Sequence, residues 1–249
     1  MERGHRSKQQ LAPTATQWSF PPLDDLQPDE DLVAVGADLE PGTILSAYSH
    51  GYFPMPVNRK TIGWFHPNPR GIIPLDTLHV SRSLRRSIRR YTTTVDRAFN
   101  DVLTACADPS RPMGWIDDRM MRAYSRLHQM GWAHSIEVWD DDGLAGGLYG
   151  LGIGSLFAGE SMFHHRTDAS KVALVHLVDI LRGRPDALLD IQWVTPHLES
   201  LGATPISRHA YVERLDQAVG AVMAGDGEMV PFVPPQPDDL ASDQAPASH

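Results

Sequence analysis

Cysteine is nearly missing from this chain of 249 residues: Cys106 is the only one. A single thiol rules out an internal disulfide. Long apolar runs are missing too, and none approaches the ~18 residues of a membrane span. The first ten residues, MERGHRSKQQ, hold no apolar stretch of the kind a secretory signal needs. Together these absences lead us to expect a cytoplasmic location with no membrane contact. Metal-ligand spacing is lacking as well. His164, His165 and Asp168 stand too close in sequence to converge from regular structure, and no H-x-x-x-H pair supports them. The glycine cluster Gly146 to Gly154 has no leading Arg or Gln, and strand-like sequence follows it where a pyrophosphate loop would open a helix. That argues against a coenzyme A or dinucleotide site. Net positive charge is absent, the balance being −9. Such a chain does not coat nucleic acid wholesale, but it can still carry a local basic patch.

One such patch is present. Residues 79–91 read HVSRSLRRSIRRY. Arg82, Arg85, Arg86, Arg89 and Arg90 recur at i, i+3, i+4, i+7 and i+8, which is one face of a helix, while Leu84 and Ile88 lie on another. No acid interrupts them. Either this is a solvated face, or five repelling charges await a neutralising partner. In a chain of net −9, RNA phosphate is the natural partner.

The rest divides into four segments. Residues 1–19 are polar and read as a disordered tail, and residues 229–249, Pro-rich and then acidic, as another. Residues 20–68 read as a small N-terminal α+β lobe. It has an irregular acidic stretch (Phe20 to Asp31), a strand ending at Gly36, and a helix from Pro41 to about His50. Leu45, Ala47 and Tyr48 face inward on that helix, and Gly51 stops it. A turn over 51–56 leads to an apolar run, Ile62 to Phe65, broken by Pro67 and Pro69. Residues 69–228 read as a larger α+β domain. Its elements are a strand to Val95, a helix from Ala98 to Cys106, and a helix from Arg119 to Met130 capped by Asp117. A hairpin follows, turning at Asp140 to Gly143, and then a strand to Phe163. A helix over 170–181, a strand over 188–194, a short helix closed by Gly202 and a last helix over 205–222 complete the domain.

The strand Leu188 to Val194 is unusual because it holds a carboxylate and an amide. Side chains two apart share a side, so Asp190 and Gln192 are expected to face one way and Leu189, Ile191 and Trp193 the other. This is either a half-solvated edge strand or a site opening at the sheet.

Several segments resemble the bacterial leucyl/phenylalanyl-tRNA–protein transferases. They are GESMF (159–163), DASK (168–171), LDIQ (189–192) and HLESLGA (197–203). VGADL, GYFPM, WFHPNPRGI, LHVSRSLRR, MGWIDDRM and WAHSIEVW upstream extend the resemblance from about Phe20 to about Leu215. It implies that the larger domain has the acyl-CoA N-acyltransferase (GNAT)-like fold. It implies transfer of leucine, also phenylalanine and as a further candidate methionine, from Leu-tRNA or Phe-tRNA. The acceptor would be the α-amino group of proteins beginning with Arg or Lys, which are thereby marked for N-end-rule degradation. The aminoacyl ester is already activated, so no metal and no cofactor are expected.

The resemblance also implies a site. Asp190 and Gln192 match the family's catalytic pair. Asp190 is expected to act electrostatically and accept a proton, and Gln192 to orient the amine or hold the ester carbonyl. Glu160 either holds the α-ammonium of the transferred residue or pairs with a structural arginine. Leu148, Phe157, Leu174, Leu177 and Leu189 match pocket positions, though by themselves they read as core. Trp115 and Tyr124 match aromatic positions near the tRNA 3′ end, where a base can stack. The five arginines fall to the tRNA. Met55 stands where the family often has a tryptophan and offers apolar contact only. Ile191 replaces a cysteine and, facing away from the pair, is expected to matter little. His66 and Asn68 replace a serine and an aspartate. The loop Asp24 to Asp31 is either the reader of the acceptor's basic residue or a plain acidic surface.

Overall fold

The computed structural model describes residues 13–111, 114–223, 232 and 234. Its N-terminal part is built from β1 (Leu32–Val35), α1 (Pro41–Ser49), β2 (Phe53–Pro56) and β3 (Ile62–Phe65). Pro41 occupies the first turn of α1, where its missing N–H goes unneeded. Gly51, at φ +87°, takes the left-handed conformation that ends the turn after it. Ile44, Leu45, Ala47 and Tyr48 of α1 are buried. The three strands form an antiparallel sheet in the order β1-β3-β2, so the segment expected as a turn is largely a strand, β2.

The larger part continues with β4 (Arg70–Ile72), α2 (Arg82–Ile88), β5 (Thr92–Val95), α3 (Phe99–Cys106), α4 (Asp118–Gln129), β6 (Ala133–Asp140), β7 (Gly143–Ile153) and β8 (Leu156–His164). It ends with α5 (Ala169–Arg182), β9 (Leu188–Gln192), α6 (Pro196–Glu199), β10 (Thr204–Ile206) and α7 (Arg208–Met223). Asp117 caps α4, its side chain accepting from the N–H groups of Arg119 and Met120, as expected. Seven strands make one sheet in the order β10-β4-β9-β8-β7-β6-β5. Neighbours run antiparallel except β8 and β9, which run parallel. A parallel pair needs a crossover, and α5 supplies it. This is the hairpin, strand, helix, strand order expected of the larger domain. The fold is α+β, with a small N-terminal sheet beside a larger sheet-and-helix body.

Several boundaries differ from expectation. β10 takes the place of the first residues of the expected last helix, which starts at Arg208. β4, placed at no strand by the sequence, sits between β9 and β10. α2 stops at Ile88, so Arg82, Arg85 and Arg86 are helical while Arg89 caps the helix and Arg90 lies in the turn beyond. All five remain exposed.

The expected division at residues 68 and 69 falls between the two sheets, but the core does not divide there. Leu45, Tyr48, Phe53 and Trp64 pack in one cluster with Phe99, Tyr124, Tyr149 and Tyr211. A second cluster lies between α5 and the sheet, where Val172, Leu177 and Leu181 meet Ile136, Leu148 and Leu189. Of the expected tails, residues 1–12 and most of 229–249 lie outside the described residues. The parts that are described are docked. Thr16 Oγ1 lies 2.8 Å from Thr43 Oγ1, and Trp18 Nε1 donates to Asp38 at 2.8 Å. Phe232 is 1 % exposed and packs edge-on to Phe157 at 5.5 Å. Gly152 leaves it room, since a Cβ there would fall 2.2 Å from the Phe232 Cβ. Among the described residues, no helix is long and apolar enough to cross a membrane.

Candidate active site

β9 runs through the middle of the sheet, and its end is not regular. Gln192 has φ +60°, a left-handed conformation that a non-glycine residue rarely adopts. The Trp193 N–H donates to Ile191 O at 2.7 Å, closing a three-residue turn around Gln192 of the rare, strained kind. Such strain persists only where the surroundings over-determine it. Here Asp190 does so, since its Oδ1 accepts from the Gln192 N–H at 2.9 Å.

Asp190 is itself enclosed. Arg70 Nε donates to Oδ1 at 2.8 Å and Arg70 Nη2 to Oδ2 at 2.6 Å, a two-pronged ion pair with both side chains 0 % exposed. Tyr211 Oη donates to Oδ2 at 3.0 Å. With the Gln192 amide, four donors fill the carboxylate's acceptor positions. Arg70 also donates to Gly51 O at 2.9 Å, and its guanidinium lies over the rings of Phe53 and Tyr211 at 4.8 and 4.3 Å. Burial pulls the Arg70 pKa down, but Asp190 outweighs it and holds the guanidinium charged.

On the other face of β9 is a pocket of about 280 Å³. Leu148, Leu174, Leu177, Leu189, Ile191 and Met162 make it apolar. Phe53, Met55, Trp115 and Trp193 add walls. Its polar groups include Gln192 and Glu160. Gln192 is 7 % exposed, and its Nε2 has no hydrogen-bond partner. A buried donor left unpaired costs about 1–3 kcal/mol, and this one borders the pocket. Glu160 accepts from Tyr48 Oη at 2.6 Å and from Tyr124 Oη at 3.0 Å. Burial raises its pKa to about 7, against the lowering effect of those two hydroxyls, and nearby Asp190 adds to the rise.

Several expected site residues therefore meet at one pocket: Met55, Trp115, Leu148, Glu160, Leu174, Leu177, Leu189 and Gln192. Three do not line it. Asp190 points to the opposite side of the sheet, so it and Gln192 do not share a face; the left-handed turn breaks the strict alternation that the expectation assumed. With every acceptor position filled and no exposure, Asp190 has no direct route to a substrate proton. Tyr124 is 0 % exposed and offers no face for a base; it reaches the pocket only through Glu160. Phe157 is 1 % exposed and packs on Phe232 behind the wall. Ile191, expected to matter little, lines the pocket. His66 is wholly buried, edge-on to the rings of Tyr52 and Tyr211, and burial together with Arg70 and Arg208 lowers its pKa to about 3.

The sequence reading missed Arg70, Tyr211 and Tyr48. Arg70 stands 120 positions from Asp190, and no local pattern announces a partner at that distance. A clue was available in the carboxylate itself, which in a central strand demands a buried cation. The helix that carries the arginines, α2, packs beside α5: Ser87 donates to Asp168 at 2.9 Å, at the start of α5. Among the described residues none of the five forms an ion pair. No group of three His, Cys, Asp or Glu among the described residues is placed to hold a metal.

Comparison with known proteins shows the family. The family model for leucyl/phenylalanyl-tRNA protein transferase matches residues 72–216, and the model for that family's N-terminal domain matches residues 37–68. The leucyl/phenylalanyl-tRNA–protein transferase of Stutzerimonas stutzeri is 49 % identical over 213 residues, covering 84 % of this chain and 94 % of that protein. The enzyme of the same name from Maridesulfovibrio salexigens is 47 % identical over 206 residues, covering 80 % and 85 %. Among solved structures, the L-PGS of Bacillus licheniformis aligns with a TM-score of 0.34 and 14 % identity over 60 % of this chain and 56 % of that one, too slight a likeness to bear on the argument.

Proposed function

The chain belongs to the leucyl/phenylalanyl-tRNA–protein transferases, a family of aminoacyltransferases, and on that premise we propose that it transfers leucine from Leu-tRNA to the α-amino group of proteins beginning with Arg or Lys. Phenylalanine from Phe-tRNA serves as a second donor and methionine as a third. The products are marked for N-end-rule degradation in the cytoplasm. The observation that carries this reading is the junction of an apolar pocket with one unpaired buried amide, Gln192 Nε2.

The leucyl side chain enters between Leu148, Leu174, Leu177 and Leu189. Its α-ammonium turns to Glu160, whose carboxylate is the polar group beside that wall. The ester carbonyl then lies at Gln192, and Nε2 donates to its oxygen as negative charge grows there. The acceptor's amine attacks the carbonyl carbon, a C–N bond forms, and the bond to the tRNA ribose oxygen breaks. The proton lost by the amine ends on the released ribose hydroxyl. An α-amine has a pKa near ~8, so part of it is already neutral and a strong base is not required. Asp190 then acts as a positioning residue, holding the turn that aims Gln192. The exposed arginines of α2 suit the phosphates of the tRNA body, and Trp115 and Met55 border the pocket where the terminal nucleotide emerges.

The test is transfer of labelled leucine from Leu-tRNA to a peptide beginning with Arg, beside the same peptide beginning with Ala. Labelling of the Arg peptide well above the Ala peptide is expected. Equal labelling, or none, overturns the acceptor rule.

A further inference from the structure

Trp193 follows Gln192 directly, and the sequence reading placed it on the face away from the site. In the structure it is half-buried and forms part of the pocket wall. Three groups fix it. Phe53 and Phe65 meet its ring edge-on at 5.0 and 5.9 Å, and its Nε1 donates to Asp31 Oδ2 at 2.9 Å. Asp31 Oδ1 accepts from the Asn68 N–H at 3.2 Å. Two neutral donors leave a carboxylate with acceptor capacity to spare.

Asp31 ends the acidic stretch that also holds Asp24, Asp25, Asp29 and Glu30, all four exposed. None of the five carboxylates has a cation within ion-pair distance among the described residues. Arg208 lies nearby, but it donates to the carbonyls of His66, Gln27 and Glu30, fastening the loop's backbone beside the end of β3. Asp31 thus sets a carboxylate against the Trp193 wall of the pocket, on a loop whose backbone Arg208 anchors. Phosphates of a donor tRNA are repelled there, while a cation is drawn in. Gln192, with its buried unpaired amide, marks where the reacting carbonyl sits at the inner end of the same wall.

We propose that Gln192, Trp193 and Asp31 form a line that reads the acceptor's first residue. The attacking α-amine lies at Gln192, the aliphatic stem crosses the Trp193 indole, and the guanidinium or ammonium meets Asp31. The order amine, apolar stem, cation is common to Arg and Lys, and a planar guanidinium also stacks on an indole face. An acceptor beginning with Ala fills only the first of the three places. The subsite rests on the acceptor rule proposed above and deepens it.

The test compares kcat/KM for peptides beginning with Arg, Lys and Ala in the unmutated chain and in Asp31→Asn. Asparagine keeps an acceptor for the indole N–H and removes the charge. The Arg-to-Ala ratio is internal to each preparation, so any misfolded fraction cancels. That ratio is expected to fall about tenfold in Asp31→Asn, through KM of the Arg peptide. On the unmutated chain, added salt raises KM for the Arg peptide and leaves KM for the Ala peptide in place. A ratio kept in Asp31→Asn, a fall carried by kcat, or salt-independence of the Arg peptide overturns the subsite while leaving the acceptor rule standing. No Arg preference in the unmutated chain overturns the rule and the subsite together.

Discussion

The two faces of β9 differ in kind. On one, Leu189 and Ile191 border a pocket; on the other, Asp190 is closed in by Arg70, Tyr211 and the amide of Gln192. A carboxylate and a row of aliphatics would ordinarily be assigned the reverse way, chemistry to the acid and core to the leucines. The difference teaches that a buried, fully satisfied charge is framework, because it has nothing left to offer a ligand. Gln192 differs in that its Nε2 lacks a partner among the described residues while the side chain borders the pocket. Gln192 belongs to neither face: it inherits its aim from the polar side and spends it on the apolar one.

Breaking the polar side has the largest expected effect. Asp190→Ala leaves the Arg70 guanidinium buried and unpaired, and a loss of about 3–5 kcal/mol in unfolding free energy is expected by denaturant titration. A variant that unfolds like the parent while losing transfer would instead make Asp190 a direct participant, and the contrast between the faces would fail. Gln192→Gly separates aim from framework. Glycine adopts the left-handed turn freely, so stability is expected to hold or to rise by up to ~1 kcal/mol. The transfer rate is expected to fall about a hundredfold, the cost of one lost oxyanion donor. A stability loss matching that of Asp190→Ala would show that the Gln192 side chain, too, is framework.

A further contrast is in pH. Glu160, on the pocket side, has its pKa raised to about 7. The stability it contributes by staying protonated is complete below its ordinary value near 4.5 and is lost as pH rises through about 7. His66, on the polar side, runs the other way. With its pKa lowered to about 3, it contributes stability that is present above its ordinary 6.5 and is lost as pH falls toward 3. Glu160→Gln is therefore expected to remove the decline between about 4.5 and 7 and leave the acid-side loss in place. Parallel stability curves for parent and variant would place Glu160 outside the buried network of Tyr48 and Tyr124.

Much of the fold was legible because its signals are local. Pro41 and Gly51 bound α1, Asp117 caps α4, and the Asp-Gly turn sets the β6–β7 hairpin. Each rests on a few adjacent residues and survives whatever packs around it. The arginines of α2 were legible as exposed for the same reason, although the helix ends before the last two. Short strands fared worse. β4 and β10 have three residues each and no periodicity to read; they exist because β9 has an open edge to fill. Tyr124 and Phe157 have the composition of ligand contacts but are covered, one by Tyr48 and Glu160, the other by Phe232 from far along the chain.

What the sequence determined by itself was the longer elements, the family motifs and the stock of apolar and charged groups from which a site is made. Only the tertiary structure decided which of those groups face a substrate. The period-two rule that joined Asp190 to Gln192 holds for a regular strand. A contact 120 positions away, from Arg70, fixes Asp190 so that it can hold Gln192 at φ +60° and break that regularity.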